Sequence, residues 1–397
     1  MSRGAGRPVV LLHVGTPKTG TTYLQDVLWC NRRTLRRSGV LYPGQRPQSQ
    51  FLAVMDLQGA TADEVGAPDL PGSWHRLLDQ IRGWPGTAVI SHELLAPMDT
   101  ARIDRVHDDL GFAEVHVVCT VRDLGRQLPA VWQEDLKNRH SLRFAEFLDA
   151  VRTDAGQRHW LGDLFWRMQD VPEVLRRWAS VVPPERVHVV TVPPPGGPAA
   201  QLWERFATLL GVDHAAVDAT PDAPNSSLGP AEAHLLRRIN LALDPALPWP
   251  VYERTVRRHL VDVLARRPGG VSRISVPAAD LGWVRERSER ITKELNEAGY
   301  RIVGDLDDLT PAVGGGSAHP GAHPGAHPDD VTDSDLLDAA LAAVRMLVER
   351  EAAAPAPRLS GATLRWRVSE LAGRHRGLLA ARSLYRSVRR LHDERRG

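Results

Sequence analysis

Cysteine is nearly absent. Cys30 and Cys119 are the only two in 397 residues, which excludes a disulfide framework and a cysteine zinc site. Lysine is almost as scarce: the basic residues are nearly all arginine, with lysine only at Lys18, Lys137 and Lys293, so a lysine inside a loop stands out. Net charge is only +2, and nothing in it points to nucleic acid as a partner. No apolar run reaches the roughly 18–20 residues of a membrane span. The short run after Arg3 and Arg7 reads as a buried strand rather than a secretory leader, so a cytoplasmic protein is the expectation. What is present is ordinary: 42% hydrophobic and 25% charged residues, enough for one large core and something smaller.

The most informative stretch lies near the start. Val9-Val10-Leu11-Leu12-His13-Val14-Gly15 has the length and apolarity of a buried strand, and Thr22 to about Ser38 carries Leu24, Val27, Leu28 and Leu35 on one helical face. Between them lies Thr16-Pro17-Lys18-Thr19-Gly20-Thr21. A Gly/Thr loop with one ammonium, set before a helix N-terminus, attracts phosphate or sulfate. Gly15 and Gly20 have the spacing of a nucleotide P-loop, but Thr21-Thr22 stands where Lys-Ser/Thr belongs and the lysine sits inside the loop. No apolar strand ends in an evident magnesium-binding Asp, Asp123 coming closest after Arg122. An Mg-dependent kinase-type enzyme therefore lacks two of its parts.

Further along, strand-like and helix-like segments alternate. Strands are expected at 39–44, 87–91, 114–122 and 186–192. Helices are expected at 74–84, 99–110, 124–138, 144–178, 200–210, 230–241, 252–266 and 280–298, with 45–72 as polar loop. Alternation of this kind with Val-rich strands predicts an α/β fold: a central parallel sheet covered by helices on both faces. Ligands bind such sheets at the carboxyl ends of the strands, which would put the first loop, His92-Glu93 and Arg122 on one edge.

The composition changes after about residue 312. Gly314-Gly315-Gly316-Ser317 leads into three Ala-His-Pro units with histidines at 319, 323 and 327, a linker by composition; flexible Pro/Gly chain holds metal ligands poorly, and no metal is expected. The organisation read from this is a body at 1–312, a linker at 313–330 and a helical, Arg-rich extension at 331–397. Residues 358–396 contain eleven Arg against Glu370, Asp393 and Glu394, with an apolar stripe. Such a segment suits a membrane surface or a protein partner, or docks on its own domain.

Pro17-Lys18-Thr19-Gly20-Thr21-Thr22-Tyr23-Leu24 closely resembles the 5′-phosphosulfate-binding loop of the sulfotransferases that use 3′-phosphoadenosine 5′-phosphosulfate (PAPS). The resemblance implies a P-loop-like three-layer fold, Lys18 on the phosphosulfate, and Gly20, Thr21 and Thr22 around the 5′-phosphate. It also implies an Arg at the end of a later strand for the 3′-phosphate, and Val117-Val118-Cys119-Thr120-Val121-Arg122 ends in one. The family's Ser eight residues after that Arg is here Ala130, and Asn225-Ser226-Ser227 is the nearest alternative source of hydroxyls. The similarity covers roughly residues 8 to 310 in architecture but two short segments in motif.

The activity implied is sulfuryl transfer from PAPS to a hydroxyl or amine of a carbohydrate, lipid or small molecule. Lys18 is the candidate for charge on the leaving oxygen, and a base should lie on the same edge. Both His92 and Glu93 are candidates for it, Glu93 being preferred. Gln133, Glu134 and Lys137 would line the acceptor cleft or form an exposed face, and Trp132, Trp160, Trp166 and Trp178 would pack in the core or wall the acceptor. A kinase-type phosphotransferase and a non-catalytic nucleotide- or glycan-binding protein are the alternatives.

Overall fold

The computed structural model describes residues 7–152, 160–198, 200–220, 227–267, 273–311 and 327–353. Six strands form one sheet: β1 (Val9–Gly15), β2 (Val40–Leu41), β3 (Thr87–Ser91), β4 (Glu114–Val121), β5 (Val187–Thr191) and β6 (Arg301–Val303). Their order across the sheet is β2-β3-β1-β4-β5-β6, and every pairing is parallel. Parallel neighbours require crossovers, and helices supply them. Before β4 these are α1 (Thr21–Cys30), α2 (Arg32–Arg37), α3 (Ser49–Leu57), α4 (Ala62–Val65), α5 (Ser73–Arg82) and α6 (Thr100–Asp109). After β4 come α7 (Leu124–Lys137), α8 (Phe144–Arg152), α9 (Trp160–Gln169), α10 (Val171–Trp178) and α11 (Gln201–Leu210). The last are α12 (Pro230–Ala242), α13 (Trp249–Tyr252), α14 (Val261–Ala265), α15 (Leu281–Glu297) and α16 (Asp333–Ala353), with a π-helical stretch, Glu253–Leu260, joining α13 to α14.

The four inner strands are buried almost throughout, as a sheet covered on both faces requires. On one face Leu11, Val89, Val118 and Val190 pack against Leu24, Val27 and Leu28 of α1 and Trp203 and Phe206 of α11. Each such side chain contributes about 1.5–3 kcal/mol by leaving water. That packing fixes α1 on the sheet and therefore fixes where its N-terminus points. The expected α/β architecture, a parallel sheet in three layers, is the one observed.

Several boundaries differ from expectation. The helix expected from Thr22 to Ser38 is two helices, because Asn31 leaves the helical path. Its side-chain amide donates to the carbonyls of Val27 (2.9 Å) and Asp218 (2.8 Å), and its oxygen accepts from the Asp218 amide (3.1 Å). The stretch 45–72 is not simply loop. It holds α3, with Leu52, Ala53, Val54 and Leu57 buried, and α4, started by a capping box between Thr61 and Glu64. The long helix expected over 144–178 is three helices, the last opening at Asp170 with Pro172 in its first turn. β6 is a three-residue edge strand and too short for any periodicity.

The chain divides into two compact units, Met1–Ala343 and Val344–Gly397. In the second, only the end of α16 is described, so the Arg-rich stretch at 358–396 lies outside the described residues, as do His319 and His323. Among the described residues no helix is long and apolar enough to cross a membrane. Within the first unit, Asp329 is fixed where the Gly/His/Pro-rich stretch ends. Its carboxylate accepts from the amides of Phe144 (3.0 Å) and Ala145 (2.9 Å) at the start of α8 and contacts His234 Nε2 (2.9 Å).

Candidate functional site

β1 sits in the middle of the sheet, flanked by β3 and β4. The chain beyond their carboxyl ends brings the 16–20 loop, His92-Glu93 and Arg122 to one edge. Beneath the loop lies a buried polar network. His13 Nδ1 meets Ser91 Oγ (2.8 Å) and its Nε2 meets Thr120 Oγ1 (3.1 Å), while Thr120 Oγ1 also reaches the Gly15 carbonyl (3.1 Å). Burial lowers the His13 pKa to about 3, so the imidazole is neutral and ties three adjacent strands together.

The loop is held by its carbonyls. Thr19 Oγ1 donates to the Thr16 carbonyl (2.5 Å). Gln127 and Gln169 both donate to the Pro17 carbonyl, Gln169 at 3.1 Å. Arg122 Nη1 donates to the Lys18 carbonyl (3.1 Å). A trans peptide points its N–H opposite to its C=O, so the amides of Lys18 and Thr19 point away from the glutamines and from Arg122. Lys18 itself has φ 67°, and Gly20 has φ 87°. The left-handed region is costly for a residue with a side chain. At Gly20 a Cβ would in addition come within 2.4 Å of Leu202 Cδ2, so a larger residue there would be strained and would also have to displace the Leu202 side chain.

Gly20 is also the residue that caps α1, and it offers no side-chain acceptor to the first amides of the helix; the first turn contains no acidic residue. Backbone donors and the positive end of the helix dipole are therefore unopposed by a built-in anion. Among the remaining loop residues, the Thr19 hydroxyl is consumed inward, also meeting Thr120 Oγ1 (2.5 Å). Thr21 is buried, Thr22 is exposed, and Pro17 and Lys18 are half-buried.

Lys18 does not stand alone. Its Nζ donates to Glu134 Oε2 (3.0 Å) on α7. Glu134 Oε1 in turn accepts from Arg257 Nη2 (2.8 Å), on the π-helical stretch, and Lys137 Nζ lies 4.0 Å from Oε2. Burial alone would raise the Glu134 pKa, but Lys18, Lys137 and Arg257 outweigh it and hold the group down at about 2. Lys137 is lowered to about 8 by burial and by the neighbouring Lys18. Arg122 is lowered to about 10 by burial, then by Arg126, and stays charged. Its Nε is buried without a hydrogen-bond partner.

At the end of β3 the two candidate bases differ sharply. His92 Nδ1 accepts the Leu94 amide (3.1 Å), so in the neutral ring the proton is on Nε2 and no lone pair is left over. The ring packs on Phe51 with centroids 5.6 Å apart, and burial lowers its pKa against the opposing charge of Glu93. Glu93 lies against the loop: a Cβ on Gly15 would sit 3.3 Å from its Cα. Its carboxylate is approached by Gln25 Nε2 from α1 (3.4 Å).

Other expected residues are placed as follows. Gln133 turns away from Lys18 and holds the next loop, accepting from the Leu228 amide (2.8 Å) and the Ser227 hydroxyl (3.3 Å); Asn225 and Ser226 lie outside the described residues. Trp132 and Trp178 are core residues. Trp166 is half-buried, donating to the Val151 carbonyl (2.8 Å) under the Arg287 guanidinium (4.2 Å), and Trp160 is exposed, edge-on to His140. The Ala130 side chain carries no polar atom. Gln127, Gln169 and Arg257 are the site residues that sequence reading missed. Nothing in a lone glutamine 42 or 152 residues from its partner marks it as a loop anchor.

Among the described residues no group of three or more His, Cys, Asp or Glu is arranged to hold a metal. No family model matches the chain, and no curated protein does. A solved sulfotransferase from Alicyclobacillus acidocaldarius aligns with 76% of this chain and 97% of that one, at 13% identity and a TM-score of 0.37. At that score the alignment carries no argument, and the fold class stands on the sheet itself.

Proposed function

We propose that the chain is a PAPS-dependent sulfotransferase, moving a sulfuryl group to a hydroxyl or amine acceptor. The observation that carries this reading is the loop: three consecutive carbonyls held by side chains, two amides pointing the opposite way, a helix N-terminus with no side-chain cap, and one ammonium beside them. That arrangement binds a tetrahedral anion through backbone donors, and its sequence is the one that resembles the phosphosulfate loop. The residues present also suit the bisphosphate nucleotide. Gly20 takes the left-handed turn (φ 87°) that brings the loop into α1, and Arg122 keeps a buried, unpaired Nε–H and a full charge for a second phosphate.

In this reading the amides of Lys18 and Thr19 and the first turn of α1, at Thr21 and Thr22, hold the 5′-phosphate. The Lys18 ammonium stabilises negative charge as it grows on the leaving oxygen. Glu93 takes the acceptor proton, because the His92 lone pair is already committed to the backbone. Sulfuryl transfer of this kind needs donors and a base but no Lewis acid, so PAPS is the one co-substrate proposed. Ala130 leaves the 3′-phosphate to Arg122 and to neighbours other than a hydroxyl on α7. A cytoplasmic location and the separation of the body from the Arg-rich extension remain part of the same proposal.

Calorimetry with adenosine 3′,5′-bisphosphate tests it. Binding at micromolar to sub-millimolar ligand is expected, weakened about tenfold or more in Lys18→Met, the worth of a charge-assisted hydrogen bond. Absence of binding at millimolar ligand would sink the reading. If the nucleotide binds but no acceptor is sulfated from PAPS, the chain is a nucleotide-binding protein instead.

A further inference from the structure

The pairing of Lys18 with Glu134 raises a question that the transfer chemistry leaves open. An ammonium 3.0 Å from a carboxylate cannot at the same time give its full field to an anion in the loop. The pair is partly sheltered, with 33% and 25% of the two side chains exposed, so the attraction is only partly screened. Glu134 is itself held in place from the far side by Arg257 (2.8 Å), which also pairs with Glu253 (3.3 Å). A second cation, Lys137, stands 4.0 Å from the same oxygen that Lys18 uses. That distance is short enough for Glu134 to trade one lysine for the other without leaving its carboxylate unpaired.

Resting on the sulfotransferase reading, we propose that Glu134 is a positioning residue that stores the Lys18 ammonium in the unliganded protein and releases it to the donor's anion, passing to Lys137 as it does so. Because Lys137 already stands 4.0 Å from the same oxygen, Glu134 keeps a lysine partner when Lys18 leaves, which lowers the cost of freeing Lys18. It also ties the loop to the π-helical stretch through Arg257, so a donor that draws Lys18 away changes the charge felt by residues 253–260. π-helical geometry is rare and is frequently found at functional sites. The carboxylate therefore competes with the incoming anion for one ammonium, and donor affinity is set by the outcome.

The chain's three lysines make the test clean. Isotopic reductive methylation labels Lys18, Lys137 and Lys293, and their NMR signals report each ammonium separately. Binding of adenosine 3′,5′-bisphosphate is compared in the wild type, Glu134→Gln and Glu253→Gln. Both variants lose one negative charge near Arg257, but only the first loses the partner of Lys18. The proposal expects Glu134→Gln to bind about three- to fivefold more tightly, the upper range of a partly exposed ion pair, and Glu253→Gln to change affinity by less than about twofold. It also expects the unliganded Lys18 signal in Glu134→Gln to move toward its position in the liganded wild type. Equal tightening in both variants would reduce the effect to bulk charge and overturn the proposal. So would unchanged or weaker binding in Glu134→Gln, or a Lys18 signal that does not move. No binding in any of the three proteins would instead remove the sulfotransferase reading on which the proposal rests.

Discussion

Glu93 and His92 are adjacent in the chain and opposite in what they have left to give. The sequence offered both as bases because both follow a strand expected to end at the ligand edge. The sequence already favoured Glu93, and the backbone amide of Leu94, which occupies His92 Nδ1, adds a second reason for the same preference. Glu93→Gln should therefore lower kcat for sulfuryl transfer by about a hundredfold or more, as expected for loss of a general base, with nucleotide affinity nearly unchanged. His92→Gln should cost far less. If the two variants lose activity to the same extent, Glu93 does not hold the role alone. Lys18 was singled out by rarity and position. What they could not tell is that its main chain adopts φ 67° and that its ammonium is engaged by a glutamate 116 residues away.

Among the elements, the strands were legible and the short helices were not. β1, β3, β4 and β5 are Val-rich, largely apolar runs buried almost throughout, and their boundaries moved by at most one or two residues from expectation. α3 and α4 were missed because nine- and four-residue helices give too few turns for a periodic signal, although Thr61-x-x-Glu64 was a readable start signal. The N-terminus of α8 is completed by a residue from far along the chain: Asp329 accepts two of its leading amides and pairs with His234. That side chain is only 12% exposed, so Asp329→Asn is expected to destabilise the fold by about 1–2 kcal/mol, the worth of a charged cap. Chemical denaturation at neutral pH measures it, and an unchanged midpoint would show that the contact is dispensable.

For the molecule as a whole, the buried titratable groups set a direction for acid stability. Burial lowers His13 from 6.5 to about 3 and His188 from 6.5 to about 4. The unfolded chain therefore takes up these protons first. Stability is full above about pH 6.5 and falls as the pH drops toward 4, at up to about 1.4 kcal/mol per pH unit for His13 alone. Glu134 and Asp329, both held down to about 2, have depressed folded values. Their contribution is present above the ordinary carboxylate range and is lost as the pH falls through it toward 2. All four act in the same direction, so the thermal midpoint should decline steadily from about pH 6.5 downward; a flat midpoint between pH 7 and 5 would contradict this. Removal of residues 331–397 should leave affinity for adenosine 3′,5′-bisphosphate intact, since every contact described at the loop comes from residues before 260. A large loss on truncation would bring the extension into the site.

The sequence alone determined the class of fold and the place of the loop. Alternating buried strands and amphipathic helices admit few arrangements other than a covered parallel sheet, and a Gly/Thr/Lys loop between strand and helix has few physical uses besides holding an anion. The tertiary structure decided the direction of each peptide plane in that loop and the company its lysine keeps. Those depend on Gln127, Gln169, Arg122, Glu134 and Arg257, which reach the loop across the fold from more than 100 residues away. Side-chain hydrogen bonds at such separations leave no period and no spacing in a single chain, so only the packed molecule shows them.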